Sequence, residues 1–441
     1  MQNISLLEVA LLLGLVSESQ LEVSNYQVDS RSIEPGGLFF ALKGERSDGH
    51  LHLAEARRRG AIGAVVSKGY QGPDFGLVLL PVEDVLEGLQ ALAKENLNRQ
   101  RPYIVAITGS VGKTTTKDFA ATILSASFRV HKSPASHNTK LTLPLTILNR
   151  PGGEEVLVLE MGMSEPGDIR KLVEIAPPDM GVVTKIALAH AAFFPGGIEE
   201  ISRGKREIFS HPHTTIAVFP YDLQDVPADK KKVSFSLDER ASDYFLSAAE
   251  GRFYVDERGI RAYQFDLPFK QSHILHDFLA AVAIARQLKM SWDEINRQVA
   301  SLQMPHMRFE QFAKNGVQFV NDAYNANPES MRAALSNFPE PKEGGKRIAV
   351  LASMLELGSF SVDAHREAGQ LAQRHADHLL VFGEEAAPLC EAFEEGKKPS
   401  EHFIDRDALA LRLKEIMRPG DVVLVKGSRG MQLEKLFDLL D

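Results

Sequence analysis

The stretch IVAITGSVGKTTT, residues 104–116, decides the fold of this chain. Its first five residues form an apolar strand, the glycines that follow let the backbone turn, and a helix is predicted to begin at the threonines. In that arrangement backbone N–H groups and the helix N-terminus converge on an anion, and a lysine adds a mobile positive charge. The residues predicted to surround a phosphate group are Gly109, Ser110, Val111, Gly112, Lys113, Thr114 and Thr115.

This loop is a shortened variant of the usual phosphate-binding pattern. The usual pattern has a glycine five positions before Gly112, where this chain has Ile107. Thr114 or Thr115 is positioned to offer a hydroxyl group to Mg²⁺. The alternative, a glycine-rich turn with a chance lysine, is disfavoured because strand, loop and helix follow one another in the correct order.

Strand and helix patterns alternate from this loop to about residue 220. Strands are predicted at 104–108, 156–160, 181–184 and 215–219, and helices at 114–126, 168–175 and 198–209. This alternation predicts a doubly wound, mostly parallel sheet. Residues 230–270 are predicted to be rich in strands, and residues 272–288 to form an alanine-rich helix.

A second alternation of strands and helices follows Met304–Met307. Its predicted strands are 317–321, 347–351, 378–382 and 421–425, and its predicted helices are 330–337, 362–374, 407–417 and 431–440. A polar run, Asn96–Pro102, marks an earlier boundary. A chain of 441 residues is long enough for three domains, which we place at 1–100, 101–305 and 306–441. The prediction is an α/β protein with a central P-loop-type doubly wound parallel sheet and a C-terminal Rossmann-like α/β domain.

Composition and charge bound the class of protein. The 44% of hydrophobic and 25% of charged residues are typical of a globular chain. A net charge of −9 argues against a large face for nucleic acid.

The apolar run Leu6–Val16 contains Glu8, has no preceding Lys or Arg, and is too short to span a membrane. The single cysteine, Cys390, cannot form an internal disulfide. We therefore expect a cytoplasmic monomer that neither binds nucleic acid nor inserts into a membrane.

Three further side chains are candidates near the phosphate-binding loop. Glu160 ends a predicted strand, and the carboxyl ends of strands are where open α/β sheets hold ligands. A carboxylate there could bind the Mg²⁺ that bridges ATP phosphates, or simply make a surface hydrogen bond. His190 follows the strand 181–184 and is expected at the same edge, with a structural role as the alternative. Lys205 lies in a predicted helix and, taken alone, is a solvated lysine.

Motifs along the whole chain resemble those of the Mur ligase superfamily, within it the branch that adds D-alanyl-D-alanine to UDP-N-acetylmuramoyl-tripeptide. The N-terminal motifs are Asp29–Arg31, Pro35–Gly36, Leu38–Phe39, Ala41–Leu42 and Gly44–His50. The central motifs are Thr108–Thr114, Pro144–Thr146, Glu160–Gly162, Ala189–His190, Lys205–Phe209, His273 and Leu279–Ala281. The C-terminal motifs are Arg308–Glu310, Asn321–Pro328, Ser330, Met354–Gly358, His365 and Leu424–Arg429. The run from Tyr324 to Asn327 is typical of the D-alanyl-D-alanine-adding branch.

This resemblance implies an amide ligase that uses ATP and Mg²⁺ on UDP-N-acetylmuramoyl-tripeptide and D-alanyl-D-alanine. It implies catalytic roles for Lys113, Glu160, His190 and Lys205, and metal binding by Thr115, Glu160, His190 and a carbamylated Lys205. It adds His273, Arg308 and Asp322 to the ATP-binding residues. It assigns the UDP-sugar to Ser30, Arg31, Arg46, Asp48 and His50 in an N-terminal domain, and the peptide and dipeptide ends to Tyr324, Asn325, Asn327, Lys426 and Arg429. Because two domains share the ATP contacts, closure on binding is expected.

Several positions depart from the family pattern. Asn138–Thr142, with Lys140 inside it, stands where asparagines and an acidic residue are usual, and Lys185 replaces an expected asparagine. Ile274 and Asp277 also replace asparagines, and Ala352–Ser353 replaces Gly–Asp. Details of metal ligation and adenine contact, and the third residue of the acceptor peptide, stay open at this point.

Three other functions remain as alternatives. A folate polyglutamate ligase or a different Mur ligase is disfavoured by Asn325–Asn327 and Gly44–His50. A nucleotide-switched binding protein that reads guanine would carry an Asn/Thr–Lys–x–Asp motif, which the sequence lacks. A non-catalytic ATP-binding scaffold draws support only from the departures.

Overall fold

The computed structural model describes residues 4–44 and 47–440. Arg46, one of the residues assigned to the UDP-sugar, lies outside the described residues. The described strands form three main sheets, which we use to name an N-terminal, a central and a C-terminal unit, and one short two-stranded sheet at the start of the chain. The predicted domain boundaries near residues 100 and 305 fall between the main sheets, and as exact limits they stay a prediction.

The N-terminal unit has a four-stranded parallel sheet in the order β3-β4-β5-β6. Its strands are β1 (Ile4–Ser5), β2 (Glu22–Val23), β3 (Asn25–Gln27), β4 (Gly37–Phe40), β5 (Ala61–Ser67) and β6 (Val78–Val82), and its helices are α1 (Leu6–Leu12), α2 (Leu53–Arg58) and α3 (Val85–Arg99). Ser5 and Glu8 form a capping box that begins α1. The whole apolar run Leu6–Val16 is expected from its composition to form a core-packing helix, but the helix ends at Leu12, and Val16 is 94% exposed.

The central unit has a nine-stranded sheet in the order β15-β14-β13-β12-β11-β10-β7-β9-β8. Its strands are β7 (Tyr103–Thr108), β8 (Val130–Lys132), β9 (Val156–Glu160), β10 (Met180–Val183), β11 (Ile216–Pro220), β12 (Lys231–Ser236), β13 (Tyr244–Ala249), β14 (Arg252–Glu257) and β15 (Ile260–Phe265). Its helices are α4 (Lys113–Leu124), α5 (Thr142–Leu148), α6 (Asp168–Ile175), α7 (Gly197–Arg206), α8 (Ser272–Gln287) and α9 (Trp292–Val299). Strands β7 to β13 are parallel, and among the described strands of this sheet the pairs β13–β14 and β14–β15 are antiparallel, which confirms the predicted doubly wound, mostly parallel sheet.

The C-terminal unit has a six-stranded sheet in the order β16-β17-β21-β18-β19-β20. Its strands are β16 (Glu310–Lys314), β17 (Val317–Asp322), β18 (Arg347–Ala352), β19 (His378–Phe382), β20 (Ser400–Phe403) and β21 (Val422–Lys426). Its helices are α10 (Pro328–Ser336), α11 (Ser361–His375), α12 (Ala387–Glu394), α13 (Arg406–Ile416) and α14 (Leu436–Leu439). Five strands are parallel and β16 pairs antiparallel with β17, so the predicted Rossmann-like α/β unit is confirmed.

The prediction of a single helix over 431–440 is wrong. Gln432 has a left-handed backbone with φ of 48°, which ends one short 3₁₀ turn and begins another. Only the four residues of α14 are α-helical at this end of the described chain. A long side chain seldom adopts that conformation, and so the sequence pattern does not signal the break.

The hydrophobic cores join the units. One cluster of buried side chains runs from Val105 in β7 through α8 to Leu351 in β18, and a second joins Leu89 in α3 to Leu157 in β9. Cys390 is 7% exposed in α12, and burial raises the pKa of its thiol. In residues 4–44 and 47–440 no helix is both long enough and apolar enough to cross a membrane.

Candidate active site

The phosphate-binding loop lies between β7 and α4, where β7 sits inside the sheet between β10 and β9. The segment after β10 braces it: Ser110 N donates to Lys185 O at 2.7 Å, and Ser110 Oγ donates to Ala187 O at 2.7 Å. Thr184 Oγ1 donates to Val111 O at 2.5 Å. The loop is therefore held in shape by backbone and hydroxyl hydrogen bonds with the neighbouring strand end, as a preorganised anion site requires.

Lys113 is the first residue of α4. Its Nζ donates to the carbonyl of Gly109 at 2.8 Å, within the loop itself. Burial lowers the pKa of its ammonium group, and the nearby carboxylate of Glu160 opposes that shift. The ammonium group thus lies against the loop whose N–H groups would hold a phosphate.

Glu160, at the end of β9, is 1% exposed and meets the helix that follows the loop. Its Oε2 accepts a hydrogen bond from Thr114 Oγ1 at 2.9 Å, and its Oε1 accepts one from Asn138 Nδ2 at 2.7 Å. The hydroxyl beside Glu160 is thus that of Thr114. Thr115, to which the resemblance assigned metal binding, lies one residue further along α4 and so points about 100° away around the helix.

Arg308 brings the C-terminal unit to this centre. Its Nη2 donates to Thr114 Oγ1 at 3.0 Å, and its guanidinium lies 4.2 Å from the ring centroid of Tyr324. Asp322, at the end of β17, accepts from Lys426 Nζ at 2.6 Å and from Phe309 N at 3.1 Å. Residues of two units therefore face the same loop.

His190 has a left-handed backbone with φ of 54° and contacts the C-terminal unit. Its Nδ1 is 2.5 Å from Oε2 of Glu356, and Ala192 N donates to Glu356 O at 3.0 Å. Burial lowers the pKa of the imidazole, the Glu356 carboxylate opposes this, and the charges of Lys113 and Lys205 add to the lowering. With Nδ1 on a carboxylate, Nε2 is the nitrogen left to face a ligand.

Lys205, in α7, is 2% exposed, so the reading of it as a solvated lysine is wrong. Burial holds the pKa of its amine well below the usual value, and the positive charge of Lys113 lowers it further. No carboxylate of the described residues forms an ion pair with it. A larger share of the amine is therefore neutral than in an exposed lysine.

Helix α8 closes one side of the loop. His273 lies with its ring centroid 5.2 Å from that of Phe309, and burial lowers its pKa to about 4. Asp277 is 6% exposed, and burial raises the pKa of its carboxyl group well above the usual value. A Cβ on Gly112 would lie 2.1 Å from Asp277 Oδ1, so this carboxyl group packs directly against the loop.

These groups line one cavity of about 850 Å³, within the usual size of a ligand site. The candidate residues that line it are Ser110, Val111, Gly112, Lys113, Thr114, Thr115, Glu160, His190, His273, Arg308, Asp322, Tyr324, Asn325, Asn327, Lys426 and Arg429. Among the described candidates, Gly109, Lys205, Ser30, Arg31, Asp48 and His50 do not line it.

Most of the four described candidates of the N-terminal unit are buried or bonded to neighbouring residues of that unit. His50 Nδ1 lies 2.6 Å from Asp48 Oδ1, and His50 Nε2 accepts from Ser67 N at 3.0 Å. Arg31 forms an ion pair with Asp29 at 2.7 Å, and Ser30 is buried. The histidine therefore braces its own loop, and Arg31, with a side chain 79% exposed, is the most available polar group of the four.

Two C-terminal candidates have internal roles. Lys426 is 1% exposed and holds Asp322 and the carbonyl of Asn325, so it orients these residues. Asn327 caps α10 by accepting from Ser330 N at 2.8 Å. Arg429 pairs with Glu434 at 2.6 Å and lies 5.9 Å from the Tyr324 ring centroid.

Nearly the whole chain is similar in sequence to known ligases. It is 32% identical to the UDP-N-acetylmuramoyl-tripeptide–D-alanyl-D-alanine ligase of Bacillus subtilis strain 168, with 97% of this chain and 96% of the relative covered. The chain belongs to the Mur ligase family. Three domain models agree: Mur ligase family, catalytic domain, over residues 22–96; Mur ligase middle domain over 107–285; and Mur ligase, glutamate ligase domain, over 307–429.

Solved Mur ligase structures share the architecture. A MurF ligase from Thermotoga maritima in complex with ADP is 33% identical, with a TM-score of 0.80 over 95% of this chain and 97% of that chain. A MurF from Acinetobacter baumannii is 27% identical, with a TM-score of 0.86 over 100% of this chain and 99% of that chain. The three-unit α/β arrangement of this Mur ligase is thus that of its family.

Three residues that the sequence analysis did not assign belong to this Mur ligase site. Asn138 holds Glu160 and Glu356 holds His190. The available signal for Glu356 was its place in the motif Met354–Gly358, whereas Asn138 lies in a stretch that departs from the family pattern. Lys117 is fully buried one turn after Lys113, with Nζ 3.8 Å from Glu160 Oε2 and in contact with the Ala135 carbonyl. Its burial had no signal in the sequence, because a lysine in a helix is usually exposed.

The residues present fit a magnesium ion. Glu160 offers a buried carboxylate, and Thr114 offers a hydroxyl beside it. No group of three or more His, Cys, Asp or Glu side chains in the described ranges is arranged as a metal site. Mg²⁺ commonly takes only one or two carboxylates together with water and substrate phosphates, so this donor set suits it.

Proposed function

We propose that this Mur ligase joins D-alanyl-D-alanine to UDP-N-acetylmuramoyl-tripeptide in an ATP-dependent reaction that forms ADP and phosphate. The observation that carries the proposal is the contact of Arg308 with Thr114, at 3.0 Å. It joins the C-terminal unit to the phosphate-binding loop in one cavity, while the relative from B. subtilis carries this activity in its name. The reaction belongs to peptidoglycan precursor synthesis, and we place it in the cytoplasm.

The chemistry explains the residues. A carboxylate and an amine do not condense in water without activation. The tripeptide carboxylate attacks the γ-phosphorus of ATP, the bond to ADP breaks, and the amine of the dipeptide then displaces phosphate from the acyl phosphate. Negative charge concentrates between two anions in the first step, so donors fixed at that point lower the barrier. Lys113, the loop N–H groups and Arg308 supply these donors.

Magnesium would bind between the loop and the end of β9. Thr114 and Glu160 would hold one ion, with Asn138 fixing the carboxylate. Bound there, Mg²⁺ offsets the charge of the phosphate groups. Lys117, buried behind Glu160, keeps this carboxylate in place.

A carbamate on Lys205 would complete a second metal position with His190. A neutral amine is the form that reacts with carbon dioxide, and the lowered pKa of Lys205 favours that form. The product carries a carboxylate-like group, so a negative group replaces one of the two lysine charges, Lys113 and Lys205, that lie near His190. The Glu356–His190 contact leaves Nε2 for the metal, as in many metal-binding histidines.

Substrates would occupy the ends of the cavity. His273 and Asp322 lie where adenine and ribose would bind, beside Gly112 and α8. Tyr324, Asn325 and Arg429 also line this cavity and are assigned to the dipeptide, with Lys426 and Asn327 as positioning residues. The UDP-sugar is assigned to the N-terminal unit, with Ser30 and Arg31 as candidate contacts.

The test is phosphate release in the presence of ATP and Mg²⁺, with the two substrates added singly and together. Release that requires both substrates, with the pentapeptide product identified by mass, supports the ligase. Release without them favours a nucleotide-driven switch, and no release favours a scaffold. Lys113→Ala is expected to lower the rate by about 10²–10³-fold, the usual loss when a transition-state donor is removed. A near-normal rate in this variant contradicts the central role of Lys113.

A further inference from the structure

Lys185 is joined to the phosphate-binding loop through its backbone. Ser110 N donates to Lys185 O at 2.7 Å, and Val111 and Lys185 form an antiparallel bridge. The side chain of Lys185 lines the same cavity as Lys113. A lysine fixed to this loop on one side and open to the cavity on the other lies within reach of whatever the loop binds.

The partner of Lys185 comes from the C-terminal unit. Its Nζ lies 2.5 Å from Oε1 of Glu329 in α10, and the two side chains are 47% and 25% exposed. Glu329 also lies 3.8 Å from Nη1 of Arg332, another cation that lines the cavity. Glu329 therefore keeps a positive partner even if Lys185 moves away.

The charge of Lys185 acts on the nucleotide side of the cavity. Three side chains of α8 that line the same cavity feel this charge: burial lowers the pKa of His273 and His276 and raises that of Asp277, and Lys185 makes each pKa lower than burial alone would. Its ammonium group is therefore near the place assigned to ATP and not at the far end of the cavity.

We propose that Lys185 is a second nucleotide-binding lysine, which exchanges Glu329 for a phosphate oxygen of ATP. The proposal rests on the proposed ATP-dependent function. An exposed ion pair contributes little to stability because water screens it, so leaving Glu329 costs little. The phosphates of ATP carry more negative charge than one carboxylate, and the buried walls around the loop reduce screening of that charge.

The test is the dissociation constant of MgATP and of MgADP, measured by calorimetry on the full-length protein. Lys185→Ala is expected to weaken binding about tenfold, the effect of losing one charged hydrogen bond. Lys185→Arg is expected to retain most of the affinity. Glu329→Gln is expected to bind as well as the unchanged protein or a few-fold more tightly, because the lysine no longer has to leave a carboxylate. The matched control is Lys68→Ala, which breaks a surface pair of the same length, 2.5 Å, with Glu83 in the N-terminal unit.

The outcomes separate the proposal from its competitors. Equal weakening by Lys185→Ala and Glu329→Gln would mean that the pair only holds two units together, and would overturn the proposal. Unchanged affinity in Lys185→Ala would overturn it too. If the unchanged protein binds no MgATP, the proposed ligase function itself fails.

Discussion

Lys205 combines deep burial with a group that is normally charged. At 2% exposure its amine has a pKa well below the usual value, because burial disfavours the charged form. The unfolded chain, with a lysine pKa of about 10.4, then binds more protons than the folded chain at neutral pH. The buried amine therefore destabilises the folded state most at low pH. This destabilisation disappears as the pH rises toward the lysine pKa of the unfolded chain.

Replacing Lys205 by methionine is expected to stabilise the protein and abolish ligation. The free energy of unfolding is expected to rise by about 1–3 kcal/mol at pH 7 in bicarbonate-free buffer, since an apolar side chain of similar length replaces a buried amine. The gain should shrink from pH 7 to pH 9. Thermal melts across this range measure it, with Lys94→Met as an exposed control. A gain independent of pH would contradict the buried-amine explanation.

Thr114 and Thr115 differ in their place on α4. Only Thr114 meets Glu160, at 2.9 Å. Thr114→Val is therefore expected to raise the Mg²⁺ concentration needed for half-maximal phosphate release at least tenfold, because the ion would lose the Thr114 hydroxyl as a ligand. Thr115→Val should raise it much less. Equal effects, measured by magnesium titration at saturating ATP, would show that the hydroxyl next to Glu160 is not the one that matters.

Single residues also show how far sequence reasoning reaches. Lys113 and Glu160 were placed near one another by the order of strand, loop and helix, and Arg308 was added by the family resemblance; the structure brings all three to one cavity. The internal pairing of His50 with Asp48, and the burial of Lys426, could not be predicted. Whether a polar side chain faces a ligand or a neighbour depends on packing between distant segments, which a motif does not encode.

Among the elements, the phosphate-binding loop is packed closely against neighbouring side chains at both of its glycines. A Cβ on Gly109 would meet Thr184 Oγ1 at 1.9 Å, and one on Gly112 would meet Asp277 Oδ1 at 2.1 Å. Gly112 also has φ of 85°, a conformation that suits glycine. The loop thus depends on glycine for space as well as for backbone freedom.

Gly112→Ala is expected to weaken MgATP binding more than tenfold, because Asp277 and the loop cannot both keep their places. Gly153→Ala is the control: its φ is 75° with no atom within 4 Å of the added Cβ. That control should cost about 1 kcal/mol of stability through backbone strain alone and leave ATP affinity unchanged. Adding Asp277→Ala to Gly112→Ala should restore part of the affinity, a non-additivity that calorimetry detects. Full additivity would argue against the clash.

The elements themselves were predictable where periodicity was strong. The strands Val156–Glu160 and His378–Phe382 and the helix Asp168–Ile175 have the predicted bounds. The edge strands β16 and β20 and the short helix α12 were missed, because short segments at the rim of a sheet have weak apolar patterns. The break at Gln432 was missed for a different reason, since it depends on one unusual backbone angle.

At the scale of the whole molecule, the site is assembled from separate units. His190 in the central unit takes its carboxylate partner, Glu356, from the C-terminal unit. Arg308 likewise crosses to Thr114. The second metal position that we propose would therefore be complete only when these two units are together, and this would couple catalysis to closure.

Glu356→Gln is expected to raise the Mg²⁺ requirement about 10–100-fold, the usual effect of removing the carboxylate behind a metal-binding histidine. The maximal rate should recover at high Mg²⁺, because no group that touches substrate has changed. Glu384→Gln, another exposed glutamate of the same unit, serves as the control. A lower maximal rate with unchanged Mg²⁺ dependence would assign Glu356 a different role.

The burial of Cys390 has a practical consequence for following such motions. The chain contains one cysteine, and it is 7% exposed, with a thiol whose pKa is raised by burial. Maleimide dyes react with thiolates, so the native background should be slow. New cysteines at the exposed positions Ile260 and Ile404, each 73% exposed, would carry a donor and an acceptor fluorophore on different units. Single-molecule energy transfer could then record each opening and closing during turnover without first deleting the native cysteine.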